Sequence, residues 1–261
     1  MRCPYCSAET DPTLIRCEHC RLDRQAPLLW PESRVYGVRG IGLAALVAVA
    51  ISSVVTLLSA ASEIFVRDEV RKAVDAGDLA LLAVAQRVEL GAVVVDLAFM
   101  AVAAVLLIIW LWRARKNIDA FPEASAEYKP GWAIGGWFVP IGNFFIPLRV
   151  MRDVAEGSLR RDWVNAAVYA WWAAWLGSYC VGRVAGAFDP VPNAGATELI
   201  EYFDNLVMFG FAQAFLTVVA GSCLGMLIFS VTRAQHARIQ QGLAARVPVV
   251  MPAAPGGTIG L

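Results

Sequence analysis

"GWAIGGWFVPIGNFFIPLRVM", residues 131–151, decides how this chain is threaded. The 19 residues between Lys129 and Arg149 carry no charge, about the number needed to cross a bilayer once. Yet the stretch holds four glycines and, counting Pro130, three prolines, and Pro140 and Pro147 each remove a backbone donor that a continuous helix needs. Both flanks are basic: Arg113, Arg115, Lys116 and Lys129 precede it, and Arg149, Arg152, Arg160 and Arg161 follow. If it crossed the membrane, one of these flanks would face outside, against the bias of Lys and Arg toward the cytoplasm. It is therefore expected to enter from the cytoplasmic side and return, or to lie at that interface, since broken backbone is not stable facing lipid.

The rest of the chain is apolar enough to need a bilayer. Its 58% hydrophobic and 17% charged residues compare with about 45–50% and about 25% in a soluble domain. Four blocks have spanning length, at residues 41–61, 90–112, 163–181 and 206–231. With these four as spans, the segments before the first, between the second and third, and after the fourth share one side and hold 17 of the 22 basic residues. Both termini are thus expected in the cytoplasm. The loop from Arg183 to Asn205 is acidic, which suits the outside. The expected fold is an all-α membrane protein: a four-transmembrane-helix bundle over residues 37–240 with a cytoplasmic-side re-entrant or interfacial segment. A small zinc ribbon (1–24), a linker (25–36) and a disordered Pro/Gly/Ala tail (241–261) complete the organisation. The first 34 residues lack an apolar run, which predicts an uncleaved amino terminus. Residues 63–86 read as an external amphipathic helix with Ile64, Val70 and Val74 on one side, a turn at Asp75–Asp78, and an extension into the second span. Residues 149–161 read as a short interfacial helix with Val150, Val154 and Leu159 toward lipid.

Chemistry-bearing residues are few. "CPYC" (Cys3, Cys6) and "CEHC" (Cys17, Cys20) are two tight turns that each present two thiolates, which together make a four-sulfur structural zinc site without an open position for substrate. A redox pair or an unliganded tail is the alternative. The motif resembles the short zinc ribbons that begin many bacterial membrane and regulatory proteins, although Ser7 and Arg21 stand where a glycine usually follows each pair. Asp96 lies about 10 Å inside the external end of the second span, where a charge needs a partner or water. Arg183 and Gln213 fall in the same outer half, so the set is either a proton or ion site or a structural pair between Asp96 and Arg183. Gly221 with Gly225, and Ser178 with Gly182, form small-xxx-small faces through which a homo-oligomer could assemble. Trp171, Trp172 and Trp175 sit in mid-span and read as bundle packing, with a stacked ligand as the alternative. With two histidines, His19 and His236, and neither in a span, no nucleophile has a base nearby, and no phosphate loop or carboxylate cluster appears.

"WLWRARKN" at residues 110–117, then "GWAIGGWFVPIGNFFIPLRVMRDV", then a span containing Trp171–Trp172, resembles the bacterial membrane family catalogued as domain of unknown function 4328. The resemblance covers roughly residues 37–240. It carries over the family's characteristic positions to Arg113, Arg115, Asn117, Trp132, Gly136, Trp137, Pro140, Asn143 and Pro147, and implies a four-helix membrane domain in the bacterial cytoplasmic membrane. Two functions fit. One is a non-enzymatic scaffold or regulator whose cytoplasmic ribbon and basic loop bind a protein partner or anionic lipid, with no nucleic acid expected. The other is a small transporter or channel using Asp96 and the broken 131–151 segment.

Overall fold

A computed structural model describes residues 1–3, 8–19, 27–188 and 195–245. Among them all regular structure is helical, apart from isolated bridge residues in the amino-terminal segment, including the antiparallel pair Arg2 and Glu9. The helices are α1 (Arg39–Ala76), α2 (Leu79–Ile118), α3 (Trp132–Gly135), α4 (Ile146–Leu159), α5 (Trp163–Ala185) and α6 (Ala196–Ala244). Three of them are long and apolar enough to cross a membrane: α1, the Ala83–Ile118 part of α2, and α6. The third expected span, residues 163–181, forms α5, whose 23 residues measure about 34 Å. Its four tryptophans, two tyrosines, Asn165 and Arg183 make it less apolar than the others.

α1 and α2 form an antiparallel hairpin closed at Gly77, whose φ of 65° is the left-handed conformation that glycine adopts at least cost. Its N–H bonds back to the Ala73 and Val74 carbonyls, ending α1. The expected external helix is not a separate element. No proline or glycine interrupts residues 62–76, so the hydrogen-bond ladder of the first span runs on to Ala76. Its buried face is also corrected. Val66, Val70 and Ala85 pack with Phe203 of α6, while Ile64 is exposed. At about 57, 60 and 74 Å, α1, α2 and α6 exceed the about 30 Å of a hydrocarbon core, and their excess builds this helical extension. Arg71 pairs with Asp204 there at 2.7 Å.

α6 runs antiparallel to α1 and α5. Gly221 and Gly225 let it approach α1 closely: a Cβ at 221 would overlap the Ser53 hydroxyl, and one at 225 would lie 3.1 Å from Leu46. Gly182 of α5 sits against Gln213 of α6, and Ser178 is buried with its hydroxyl bonded to the Trp175 carbonyl at 2.8 Å. Both small-residue faces are therefore used inside the chain. At the other end Gly42 of α1 packs where a Cβ would overlap Thr232, whose Oγ1 accepts a 2.9 Å hydrogen bond from Trp110 Nε1.

α4 departs from expectation. Val150 and Val154 are fully buried and Leu159 nearly so, packed in the main core rather than facing lipid. An apolar stripe reports burial, and here α2, α5 and α6 supply the partner that lipid was expected to be. The expected tail loses its first residues to the last turn of α6, and 246–261 lie outside the described residues.

Candidate functional site

The extension's base encloses a cavity of about 360 Å³ between α1, α2, α5 and α6. Asp96 and Gln213 both line it, as their similar depth suggested. Asp96 Oδ1 accepts a 2.6 Å hydrogen bond from Thr56 Oγ1, which also lies 3.1 Å from the Ser52 carbonyl oxygen. Arg183 is exposed at the end of α5 and does not line the cavity, so the Asp96–Arg183 pair is not formed among the described residues. Two further carboxylates, Glu63 and Glu89, line the cavity, and Gly210 opposes Glu63 where a Cβ would overlap its carboxylate. Glu63 Oε2 is buried without a hydrogen bond. The sequence held a signal for Thr56, Glu63 and Glu89 that went unused. A tight turn at Gly77 sets the hairpin register, so Thr56, 21 residues before it, stands level with Asp96, 19 after. Glu63 and Glu89, 14 before and 12 after, follow the same rule. Among the described residues no three His, Cys, Asp or Glu come together as a metal site, so these carboxylates do not share one focal point.

The broken stretch is built around Trp137. α3 stops at Gly135, and the next residue must be glycine, since a Cβ at Gly136 would crowd Ile146 and sit 2.8 Å from the Trp132 carbonyl. Pro140 occupies the turn that follows, Asn143 a 3-10 turn at Gly142–Phe144, and Pro147 the first turn of α4, where its missing N–H costs nothing. Trp137 packs edge-on against Trp172 and Trp175 of α5 at 6.2 Å each, and Trp172 and Trp175 stack at 4.8 Å. Trp172 Nε1 donates to the Phe144 carbonyl at 3.0 Å, pinning the turn to α5. Trp132 is 40% exposed and meets Tyr128 edge-on. Beside the cluster lies an apolar cavity of about 240 Å³ lined by Trp137, Trp171 and Trp175. Trp137 Nε1 and Asn143 Oδ1 are buried without hydrogen bonds. Phe138 and Ile141 are the most exposed large apolar residues of the stretch, at 75% and 77%.

Arg115 and Asn117 are structural ties. Asn117 is fully buried: its Oδ1 accepts from Tyr36 N–H at 2.7 Å, and its Nδ2 donates to Tyr36 O and Gln235 Oε1, both at 2.9 Å. Gln235 in turn donates to Ala114 O and Ser158 Oγ. Arg115 donates to Tyr128 O at 2.8 Å and pairs with Asp119 at 2.7 Å, while Arg113 reaches Gly37 O at 3.2 Å. Nearby, Asp153 accepts the Glu127 N–H at 2.8 Å. Burial pushes its carboxyl above the ordinary range, opposed by backbone hydrogen bonds from Glu127 and Tyr128. The knot fastens the segment before α1: Leu29 is buried, Trp30 N–H donates to Ala120 O, and Leu28 O accepts from Arg238. Ahead of it, Cys3 and Cys17 are buried in one small cluster with Ala8, and Cys3 N–H bonds to Ala8 O at 2.8 Å, folding the first cysteine pair's flanks together. Cys6 and Cys20 lie outside the described residues.

Three helices long and apolar enough to cross a bilayer, packed with α5 and its tryptophan-clasped broken segment, define a multi-pass helical membrane protein. The chain belongs to the family described as Domain of unknown function (DUF4328), which it matches over residues 73–233. That range holds the whole "WLWRARKN" to "WW" succession and leaves most of α1 and the amino-terminal segment outside. No curated protein and no solved structure matches the chain.

Proposed function

We propose that this chain is a non-enzymatic membrane scaffold or regulator in the bacterial cytoplasmic membrane, whose amino-terminal cysteine module and basic loop engage a protein partner or anionic lipid. The observation that carries this reading is the buried knot: Asn117, Gln235 and Arg238 hold residues 28–36 against the bundle, so the module is coupled to the helices. A structural zinc held by Cys3, Cys6, Cys17 and Cys20 would fold the module, and the shared burial of Cys3 and Cys17 fits that role. Its four thiolates would leave no open coordination position, so the metal would contribute shape rather than reaction.

The same reading has four spans, with α5 as the third and both termini inside. The start of α1, the end of α2, the start of α5 and the end of α6 lie together, which supports gathering the basic segments on the cytoplasmic side. A re-entrant 131–151 segment is supported by Trp137 meeting Trp175, about 18 Å along α5 from Trp163, with Phe138 and Ile141 left for lipid. Reporters fused at residues 245 and 192 are expected to be cytoplasmic and external, respectively. A spin label at residue 141 is expected to be accessible to oxygen and shielded from a polar quencher. An external carboxy terminus would sink the four-span arrangement, and a polar-accessible label would sink the re-entrant segment.

A transporter would need a route between Asp96 and the broken segment, but the polar cavity and the apolar cavity beside Trp137 share no lining residue. The scaffold reading therefore expects that deleting residues 1–24 abolishes the chain's phenotype in its host while Asp96→Asn leaves it intact. A solute flux in reconstituted vesicles that disappears in Asp96→Asn would overturn it.

A further inference from the structure

We infer that the cleft between the start of α1 and the end of α6 is a binding site for one anionic phospholipid, its phosphate held by Arg39, Arg233 and His236 and one acyl chain lying along Leu43, Leu46 and Phe229. All six residues line a single cavity of about 490 Å³. No carboxylate lines it, and none of its three basic residues has an ion-pair partner among the described residues. Arg39 and Arg233 are exposed, so a headgroup can meet both without dismantling a contact. The polar and apolar parts are ordered along the helices. Leu43 and Leu46 lie about 6 and about 10 Å from Arg39 along α1, and Phe229 about 10 Å from His236 along α6, in the direction of the bundle centre. Leu43 and Phe229 are 61% and 56% exposed. A cationic rim over an apolar groove of that length matches an amphiphile with an anionic head, whereas a soluble anion would leave the groove unused.

Two neighbouring features add to the fit. A Cβ at Gly42 would fill the cleft floor and overlap Thr232, so the groove depends on that glycine. A second cavity of about 970 Å³ shares Phe229, Arg233 and Ala237 and adds Arg2, Arg161 and His19 against one carboxylate, Glu9, which extends the positive rim toward the cysteine module. The site shares with the proposed function only the assignment of this end to an anionic leaflet, and it is testable in detergent, where topology plays no part.

The test is lipid titration of the full chain in detergent, followed by native mass spectrometry, with dioleoylphosphatidylglycerol and dioleoylphosphatidylcholine as probes. One phosphatidylglycerol is expected to bind at least tenfold more tightly than phosphatidylcholine. Arg39→Gln/Arg233→Gln is expected to weaken it about 10- to 30-fold, the scale of two basic residues at an anionic surface. Lys72→Gln/Arg87→Gln, which removes equal charge from the other end of the helices, is expected to leave binding unchanged. Thermal unfolding verifies that each variant is folded, and Arg39→Gln alone serves if the double variant is not. Equal binding of the two lipids, no loss in the Arg39 and Arg233 variants, or displacement of phosphatidylglycerol by millimolar inorganic phosphate would each overturn the site.

Discussion

Glu123→Ala is expected to lower the stability of the detergent-solubilised protein by about 3–5 kcal/mol, the cost of leaving one partner of a buried ion pair behind. Arg238 and Glu123 side chains are 3% and 15% exposed, and they pair through both guanidinium ends, with Nη2 to Oε2 at 2.7 Å. Without the carboxylate the guanidinium cannot easily swing to water. It also donates to Leu28 O through Nε at 3.0 Å and Nη2 at 2.9 Å, and lies 3.9 Å from the Phe121 ring centroid. The charge would stay where it is, uncompensated. Glu123→Leu/Arg238→Met removes both charges and is expected to recover most of the loss, short of the about 1–3 kcal/mol for the unpaired Leu28 carbonyl. Unfolding followed by temperature or denaturant, with helix content as the readout, distinguishes these cases. A single variant within about 1 kcal/mol of the parent, or a double variant no better than the single, would show that the pair is not a buried tie.

Arg238 and Glu123 also show where the sequence stops speaking. Spanning length and Lys/Arg distribution read out three long helices and α5 because each depends only on composition along the chain. The break at 131–151 was legible for the same reason: Pro140, Pro147 and Gly136 act on the backbone locally, and the helix divides where they stand. What faces a helix is a different kind of fact. Val150, Val154 and Leu159 form the stripe that an interfacial helix needs, yet α4 packs against α2, α5 and α6, which no local pattern names. The same holds for Gly221 and Gly225, whose small face is filled by α1 rather than by a second copy of the helix.

The outer cavity lies between these cases. Asp96 stood out because a carboxylate in an apolar run is costly, and Gln213 joined it by depth. Glu63 does not stand out because it begins the stretch that reads as an external connector, and Glu89 because it sits just ahead of the second span. The hairpin register carried by Gly77 brings them level with each other, and it could have been counted from the sequence once the turn was placed. Arg183 shows the opposite failure. Depth alone allowed it to reach Asp96, but the rotation of α5 leaves it exposed and gives Asp96 to Thr56.

Asn117→Leu is expected to cost about 3 kcal/mol and to release the segment before α1 without unfolding the bundle. The substitution nearly preserves volume, so its effect isolates the polar contacts. It strands the Tyr36 N–H and carbonyl and the Gln235 carbonyl oxygen, three groups that would cost about 1–3 kcal/mol each if fully buried. Gln235 is fully buried and bears its share in full, whereas Tyr36 is half-buried and recovers part of its hydration on detachment. Detachment is therefore the cheaper response for the chain, and it is measurable. Limited proteolysis should cut within residues 27–37 in Asn117→Leu and not in the parent, with the helix content of both unchanged. Gln235→Leu, which strands the other side of the same network and leaves both Tyr36 contacts to Asn117 in place, should lose comparable stability without the new cleavage. The pair of variants separates a tether from a general packing role. Cleavage in both, or in neither, would mean that Asn117 does not fasten the amino-terminal segment to the membrane domain. In that case the coupling on which a regulatory role depends would have to pass through the segment's other contacts, those of Arg238 with the Leu28 carbonyl, Trp30 N–H with the Ala120 carbonyl and Arg113 with the Gly37 carbonyl.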